Sequence, residues 1–213
     1  ISNLFEDLSK GPGYHLDEIP KGEIGEPSKI LEEALEIIDA HNQDVKIMQQ
    51  VELSDLYGAM IRYMEKYHPD VIIIIAYGKI ITKELLAIPK YGWLNIHGSL
   101  LPKYRGASPI QAAILSGEKK TGVSLMKIDE GLDTGPVISQ KEVKINYDEN
   151  FQSLHDKLSE LSGKILKNDF KKYLNKKLKP QPQKKTQTPV TKTIVKEDGK
   201  INWEHSADRI DRQ

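Results

Sequence analysis

Residues 94–135 read LNIHGSLLPKYRGASPIQAAILSGEKKTGVSLMKIDEGLDTG, and this stretch decides the fold. The apolar segment that enters it, Trp93–His97, predicts a short strand. Asn95 and His97 occupy alternate positions of that strand, so both side chains leave it on the same face. A polar side chain on a buried strand costs free energy unless it has a partner or a task. Because ligands bind at the carboxyl ends of strands in open α/β sheets, these two residues are candidates for a functional site.

A helix and another strand follow within the same stretch. Ser108 before Pro109 is typical of a helix start, and Gly117 is typical of a helix end. Residues 121–128 predict a strand that leads into an acidic loop, 129–135. We therefore expect two strand ends and a helix start to converge on the two polar side chains and on an acid of this loop.

Outward from this stretch, short apolar runs alternate with helical patterns. The predicted elements are a helix at 28–42, a strand at 45–48, a helix at 53–67, a strand at 71–76 that is buried on both faces, edge strands at 137–145 and a helix at 151–174. Such an alternation predicts an α/β fold with a doubly wound, largely parallel, Rossmann-like sheet.

The composition excludes several kinds of protein. The chain has no cysteine, which excludes disulfides, a thiol nucleophile and zinc-thiolate sites and fits a reducing compartment, so we expect a cytoplasmic protein. Its six histidines are scattered without metal-ligand spacing, so no metal is expected. No apolar run approaches the roughly 20 residues of a membrane span, so no membrane partner is expected.

The net charge of zero hides an uneven distribution. Residues 1–70 hold 6 basic and 15 acidic residues, whereas residues 164–200 hold 12 lysines against three acids. A basic segment of this kind is typical of a protein that contacts a polyanion. The alternative is a solvated, lysine-rich helix and linker, and the sequence leaves both interpretations open.

Several motifs fall in order within this central stretch. They are Asn95-x-His97, Ser99-Leu100-Leu101-Pro102, Arg105-Gly106, Pro109-Ile110 and Gly131-Leu132-Asp133-Thr134-Gly135. Together they resemble the core motifs of the folate-dependent formyltransferases, most closely those that formylate methionyl-initiator tRNA. The resemblance implies a formyltransferase fold, 10-formyl-tetrahydrofolate as the formyl donor and the initiator tRNA as partner.

The resemblance also implies roles for individual residues. Asn95, His97 and Asp133 would be catalytic: the amide would stabilise the oxyanion, the imidazole would supply a proton, and the carboxylate would orient the imidazole. Taken singly, each has a structural alternative, such as an Asx turn at Asp133. Asp129 and Glu130 are expected to shape the loop.

A folate pocket and an RNA contact complete the implied site. The folate-binding residues would be Ser99, Leu100, Leu101, Pro102, Tyr77, Gly78, Ile80, Gly131 and Leu132. Lys103 and Arg105 would meet phosphates of the RNA. The alternatives are ordinary core for the two leucines and solvated loop charges for the two cations.

The composition of the chain and the resemblance together divide it into three parts. Residues 1–178 would form the catalytic domain without its first strand, residues 179–200 a Lys/Pro-rich linker, and residues 201–213 the start of a truncated C-terminal β-barrel domain. A monomer is expected. Two rival functions remain open: a folate-dependent enzyme that formylates an amino sugar or another small amine or hydrolyses the formyl folate, and a non-catalytic folate- or RNA-binding relative. The acidic residues of 1–27 favour a small acceptor over RNA.

Overall fold

A computed structural model describes residues 28–29, 58–75 and 81–213 of the chain. The chain divides into two units, Ile1–Pro69 and Asp70–Gln213. In the first unit, residues 58–67 are helical, with Ala59 and Met64 buried, and this helix ends at Tyr67 as predicted. Residues 28–29 are helical too, but the rest of the predicted helix at 28–42 and the predicted strand at 45–48 lie outside the described residues.

The second unit carries the sheet and the remaining helices. In chain order its elements are β1 (Ile72–Ile75), α1 (Lys83–Ala87), β2 (Trp93–His97), α2 (Pro109–Leu115), β3 (Lys120–Lys127), β4 (Val137–Lys144), α3 (Phe151–Ile165), a π-helical turn (Leu166–Phe170), α4 (Lys171–Leu174), a 3₁₀ helix (Lys196–Gly199) and α5 (Ala207–Asp211). The helical run predicted for 151–174 is confirmed at both ends.

The four described strands form one sheet in the order β1-β2-β3-β4. The α/β class is confirmed, but only β1 and β2 pair in parallel. The pairs β2–β3 and β3–β4 are antiparallel, so the expectation of a largely parallel sheet is wrong for these strands.

The register of β2 and β3 shows where the chain reverses. Leu94 pairs with Lys127 and His97 pairs with Ser124, so the first residues of β3 lie beyond the carboxyl end of β2. The chain therefore enters β3 near the carboxyl end of β2 and runs in the opposite direction.

Strand β1 is less buried than its apolar sequence predicts. Its first three residues are half-buried and Ile75 is 56% exposed, whereas a strand buried on both faces was expected. Among the described strands β1 is an outer member of the sheet.

The hydrophobic core lies between one face of the sheet and helix α3. Leu94 and Ile96 of β2 pack there with β3 residues and with Leu154 and Leu158 of α3. Because side chains alternate along a strand, Asn95 and His97 leave β2 on the opposite face. An Asn150–Ser153 capping box begins the helix.

Replacing Leu94, which is fully buried in this core, by alanine tests the packing. Leu94→Ala should lower the free energy of unfolding by about 2–5 kcal/mol, because it removes apolar contacts and leaves a cavity. The control, Leu115→Ala, changes the same residue type at the exposed end of α2, where Leu115 is 41% exposed. It should cost about 0.5 kcal/mol. Urea unfolding measures both, and equal losses would contradict this packing.

Candidate active site

The three residues predicted to be catalytic come together at the carboxyl end of β2. Asp133, in the loop between β3 and β4, lies between the other two side chains. Its Oδ1 is 3.5 Å from the Asn95 amide nitrogen, and its Oδ2 is 3.5 Å from Nδ1 of His97. The side chains of His97 and Asp133 are only 6% and 15% exposed. The site therefore combines an amide donor, an imidazole and a carboxylate in a sheltered position.

The imidazole of His97 is held by a backbone carbonyl. Its Nε2 lies 2.8 Å from the carbonyl oxygen of Tyr104. A carbonyl oxygen only accepts hydrogen bonds, so Nε2 carries a hydrogen and donates it. The nitrogen left to gain or lose a proton is Nδ1, which faces Asp133.

The carboxylate of Asp133 is held by a backbone N–H from the loop that follows β2. Gly106 donates its N–H to Oδ2 at 2.8 Å. Sequence reasoning missed this donor and the Tyr104 carbonyl, because backbone groups leave no signature in residue type. Both residues, like Asp133 itself, adopt positive φ angles: 56° at Tyr104, 101° at Gly106 and 52° at Asp133.

Asp129 performs the loop-shaping role that was the alternative for Asp133. Its Oδ1 accepts hydrogen bonds from the N–H of Gly131 at 3.1 Å and from the hydroxyl of Thr134 at 2.7 Å. Because Asp129 makes these hydrogen bonds within the loop, the Asp133 carboxylate can face Asn95 and His97.

The loop that begins at Ser99 rests on polar side chains of β3 and β4. Ser124, fully buried, donates its hydroxyl to the carbonyl of Ser99 at 2.6 Å and accepts from the N–H of Leu101 at 3.1 Å. Gln140 donates to the carbonyl of Leu101 at 2.8 Å. The Leu101–Pro102 peptide bond is cis.

The structure places the predicted folate-binding residues unevenly. Ser99 and Leu101 are buried in the loop, Leu100 and Pro102 are half-buried, and Gly131 and Leu132 are exposed beside Asp133. Tyr77, Gly78 and Ile80 lie outside the described residues. Folate contact by all nine residues stays a prediction.

The two residues predicted to meet RNA have partners within the chain. Arg105 donates from Nε and Nη2 to the side-chain oxygen of Gln183 at 3.0 and 2.7 Å. Lys103 donates to Glu118 at 2.8 Å, and the same carboxylate oxygen accepts the hydroxyl of Tyr104 at 2.8 Å. Glu118, which sequence reasoning missed, thus tethers the residue whose carbonyl holds His97.

These contacts shift ionisation on the loop. The hydrogen bond from Lys103 holds the pKa of Glu118 below its ordinary value of 4.5, and the bond from Tyr104 acts in the same direction. In return, Glu118 raises the pKa of Lys103. Burial raises the pKa of Tyr104, so its hydroxyl stays protonated and keeps donating at neutral pH.

The arrangement suits acyl or proton transfer. An amide N–H can stabilise a developing oxyanion, and an imidazole beside a carboxylate can exchange a proton. Within the described ranges, no three His, Asp or Glu side chains cluster so as to hold a metal ion. No helix in the part of the chain that the structure describes is long and apolar enough to cross a membrane.

Comparison with known proteins finds relatives that cover most of this chain. The family described as formyl transferase matches residues 28–169. A methionyl-tRNA formyltransferase from Thermodesulfovibrio yellowstonii is 48% identical over 150 residues, which are 70% of this chain and 48% of that protein. The chain spans about half the length of the curated relatives it matches.

Two solved structures share the fold. Methionyl-tRNA formyltransferase from Clostridium thermocellum has a TM-score of 0.55 and 27% identity, covering 71% of this chain and 64% of that one. WlaRD, a sugar 3N-formyl transferase in the presence of dTDP and 5-N-formyl-THF, has a TM-score of 0.58 and 25% identity, covering 70% of this chain and 55% of that one.

The Glu118 tether predicts a pH-dependent contribution to stability. Because the folded pKa of Glu118 is lowered, its contribution is present above its ordinary pKa of 4.5 and disappears as the pH falls through the folded value. Glu118→Gln should therefore cost up to about 1 kcal/mol at neutral pH and progressively less in acid.

Urea unfolding at pH about 7 and about 3 measures this difference. Glu142→Gln, which breaks the exposed Lys120–Glu142 pair, is the matched control and should change stability little. A Glu118→Gln penalty that persists in acid would contradict the ionic tether.

The backbone at position 106 has room only for glycine. A Cβ there would lie 2.3 Å from the carbonyl oxygen of Thr191, at a φ that other residues rarely adopt. Gly106→Ala should lower the free energy of unfolding by at least about 1–3 kcal/mol. The control is Gly163→Ala in α3, where a Cβ meets nothing within 4 Å, and alanine should stabilise by about 1 kcal/mol. Thermal unfolding of both variants measures these changes. A Gly106→Ala variant as stable as the wild type would refute the close approach to Thr191.

Proposed function

This chain belongs to the formyl transferase family, and from that premise we propose that its protein transfers a formyl group from 10-formyl-tetrahydrofolate to the α-amine of methionyl-initiator tRNA. The convergence of Asn95, His97 and Asp133 carries the proposal for the chemistry. The similarity to methionyl-tRNA formyltransferases at 48% identity carries the proposal for the acceptor. Residues 1–178 would be the catalytic domain of this cytoplasmic enzyme, and its monomeric state stays a prediction.

Formyl transfer makes definite demands on its site. The amine forms a bond to the formyl carbon, the bond from that carbon to the folate nitrogen breaks, and negative charge develops on the formyl oxygen. The amine loses a proton and the folate nitrogen gains one. The site must therefore supply a donor to the oxygen and a group that moves the proton.

The three side chains are placed to meet these demands. The Asn95 amide would donate to the oxyanion, and a preorganised donor of this kind lowers the barrier by about 2.7–4 kcal/mol. His97 would exchange its proton at Nδ1, because Tyr104 holds Nε2. Asp133 would keep the ring in that orientation and stabilise its charged form.

The formyl donor would lie beside these groups. The loop of Ser99, Leu100, Leu101 and Pro102 would wall the pocket from one side, since Ser124 and Gln140 hold its backbone firmly. The exposed, apolar Leu132 next to Asp133 would contact the folate from another side. An apolar pocket with a few fixed polar groups fits such a ligand.

The acceptor proposal draws on surface charge. All twelve lysines of residues 164–200 are exposed, as a phosphate-binding surface requires. Lys103 is exposed as well, on the loop beside the site. A second candidate acceptor is an amino sugar, because WlaRD, described as a sugar 3N-formyl transferase, shares the fold.

Formylation assays on the full-length protein test the chemistry and the acceptor together. Each reaction contains 10-formyl-tetrahydrofolate and one acceptor: methionyl-initiator tRNA, a nucleotide amino sugar or glycinamide ribonucleotide. We expect product on the tRNA. His97→Ala and Asp133→Asn should each lower kcat by about 10²–10⁴-fold, because proton transfer is lost or misdirected. The control is His155→Ala, on the exposed surface of α3.

The other outcomes discriminate the rivals. Formyl on a small amine alone would refute the RNA acceptor and keep the catalytic residues. Folate turnover without a formylated acceptor would indicate a hydrolase. Folate binding without turnover would indicate a non-catalytic relative.

A further inference from the structure

The segment predicted as a linker returns to the candidate active site. Residues 181–191, which we call the strap, pair with two parts of the site through backbone bridges. Gln181 pairs with Val137 at the start of β4, and Thr191 pairs with Gly106. Between these points the strap crosses the loops that carry Arg105 and Asp133.

The Gln183 side chain joins those two loops. Its amide nitrogen donates to the carbonyls of Asp133 at 2.7 Å and Gly135 at 2.8 Å. Its amide oxygen accepts both hydrogen bonds from Arg105. A glutamine amide has two N–H donors and one oxygen with two lone pairs, so this side chain is fully used. The orientation of the amide is settled, because guanidinium only donates and carbonyls only accept.

Thr191 of the strap bonds to the segment 105–108, which follows β2. Its backbone N–H and its hydroxyl donate to the carbonyl of Arg105 at 2.7 and 3.0 Å. Its carbonyl accepts from the N–H of Ala107 at 3.2 Å, and its hydroxyl accepts from the N–H of Ser108 at 3.0 Å. Every one of these bonds flanks Gly106 without using the N–H of Gly106 itself.

The contacts of Thr191 orient the N–H of Gly106 towards Asp133. As in a parallel bridge, Thr191 bonds to the carbonyl before Gly106 and to the N–H after it, and it leaves the N–H of Gly106 itself to another partner. That partner is Oδ2 of Asp133, which accepts at 2.8 Å. The strap therefore sets both the backbone that bears Asp133 and the donor that holds its carboxylate.

From this geometry we propose that Gln183 and Thr191 are positioning residues for formyl transfer, an inference that rests on the function proposed above. They act through the loops of Asp133 and Gly106 and keep the carboxylate in place beside His97. A small misplacement of a reacting group can cost up to about 100-fold in rate, so loss of either contact should appear mainly in kcat.

The kinetic test uses isosteric pairs in the full-length protein. Gln183→Glu keeps the acceptor for Arg105 but loses both donors to the Asp133 loop, and Gln183→Ala loses all of these contacts. Thr191→Val loses the hydroxyl, and Thr191→Ser keeps it. We expect Gln183→Glu, Gln183→Ala and Thr191→Val to lower kcat by about 10- to 100-fold with KM little changed, and Thr191→Ser to behave as wild type.

The matched control lies on the same strap. Among the described residues, the Gln181 side chain donates only to the carbonyl of Lys179, just before the strap, while its backbone pairs with Val137. Gln181→Ala therefore removes an identical side chain and leaves the pairing intact. It should retain wild-type kcat. Circular dichroism and thermal unfolding identify any variant that fails to fold. If Gln183→Ala does so, the isosteric Gln183→Glu and Thr191→Val carry the test.

A second readout is independent of turnover. In protein labelled with ¹⁵N-glycine, the Gly106 amide resonance reports its hydrogen bond to Asp133. Its chemical shift should change in Gln183→Glu, Gln183→Ala and Thr191→Val. It should stay the same in Gln181→Ala and Thr191→Ser. This measurement separates the two proposals. If the wild-type protein formylates no amine, the proposed function is refuted, but the Gly106 resonance still shows whether Gln183 and Thr191 position the Asp133 carboxylate.

Two results would overturn the inference. One is wild-type kcat in folded Gln183→Glu and Thr191→Val, whatever the resonance does, because the strap would then have only a structural role. The other is a Gly106 resonance that stays in place in those variants.

Discussion

The carboxylate of Asp133 is the group on which the rest of the site depends. It faces Asn95 and His97 from β2 and accepts the N–H of Gly106 from the loop that follows. A largely buried carboxylate is costly unless hydrogen bonds satisfy it, so the position of the charge and the conformation of the surrounding backbone stabilise each other. The geometry of the candidate site in this sense follows from the hydrogen bonds that a sheltered carboxylate requires.

The residues that surround this carboxylate adopt unusual backbone conformations. Tyr104, Gly106 and Asp133 all have positive φ, which costs about 1–3 kcal/mol at each residue other than glycine. The strained conformation at Tyr104 accompanies a carbonyl aimed at Nε2 of His97, and its hydroxyl is tied to Glu118. Local strain thus coincides with the residues that orient the imidazole and the carboxylate, and the hydrogen bonds around them offset it.

The side chains of the strap lie on two sides. Gln183 and Thr191 point inward and bond to the loops of the site, whereas Lys184 and Lys185 between them are exposed. One segment therefore combines contacts that organise the candidate active site with charges available to a polyanion. This arrangement joins the chemistry and the proposed RNA acceptor through a segment whose composition predicts only a linker.

The sequence by itself determined the α/β class, the bounds of β2 and of the helical run from Phe151 to Leu174, and the pairing of Asn95 and His97 on one face of β2. Those features rest on local periodicity, capping residues and side-chain chemistry, whereas Asp133 was singled out among the loop acids by the resemblance to a family. Only the tertiary structure decided that β3 runs antiparallel to β2, that Tyr104 and Gly106 supply backbone groups to the site, and that Gln183 and Thr191 return to it. The physical reason is that these contacts join backbone atoms, or residues some 50 to 86 positions apart, and neither leaves a local pattern along the chain.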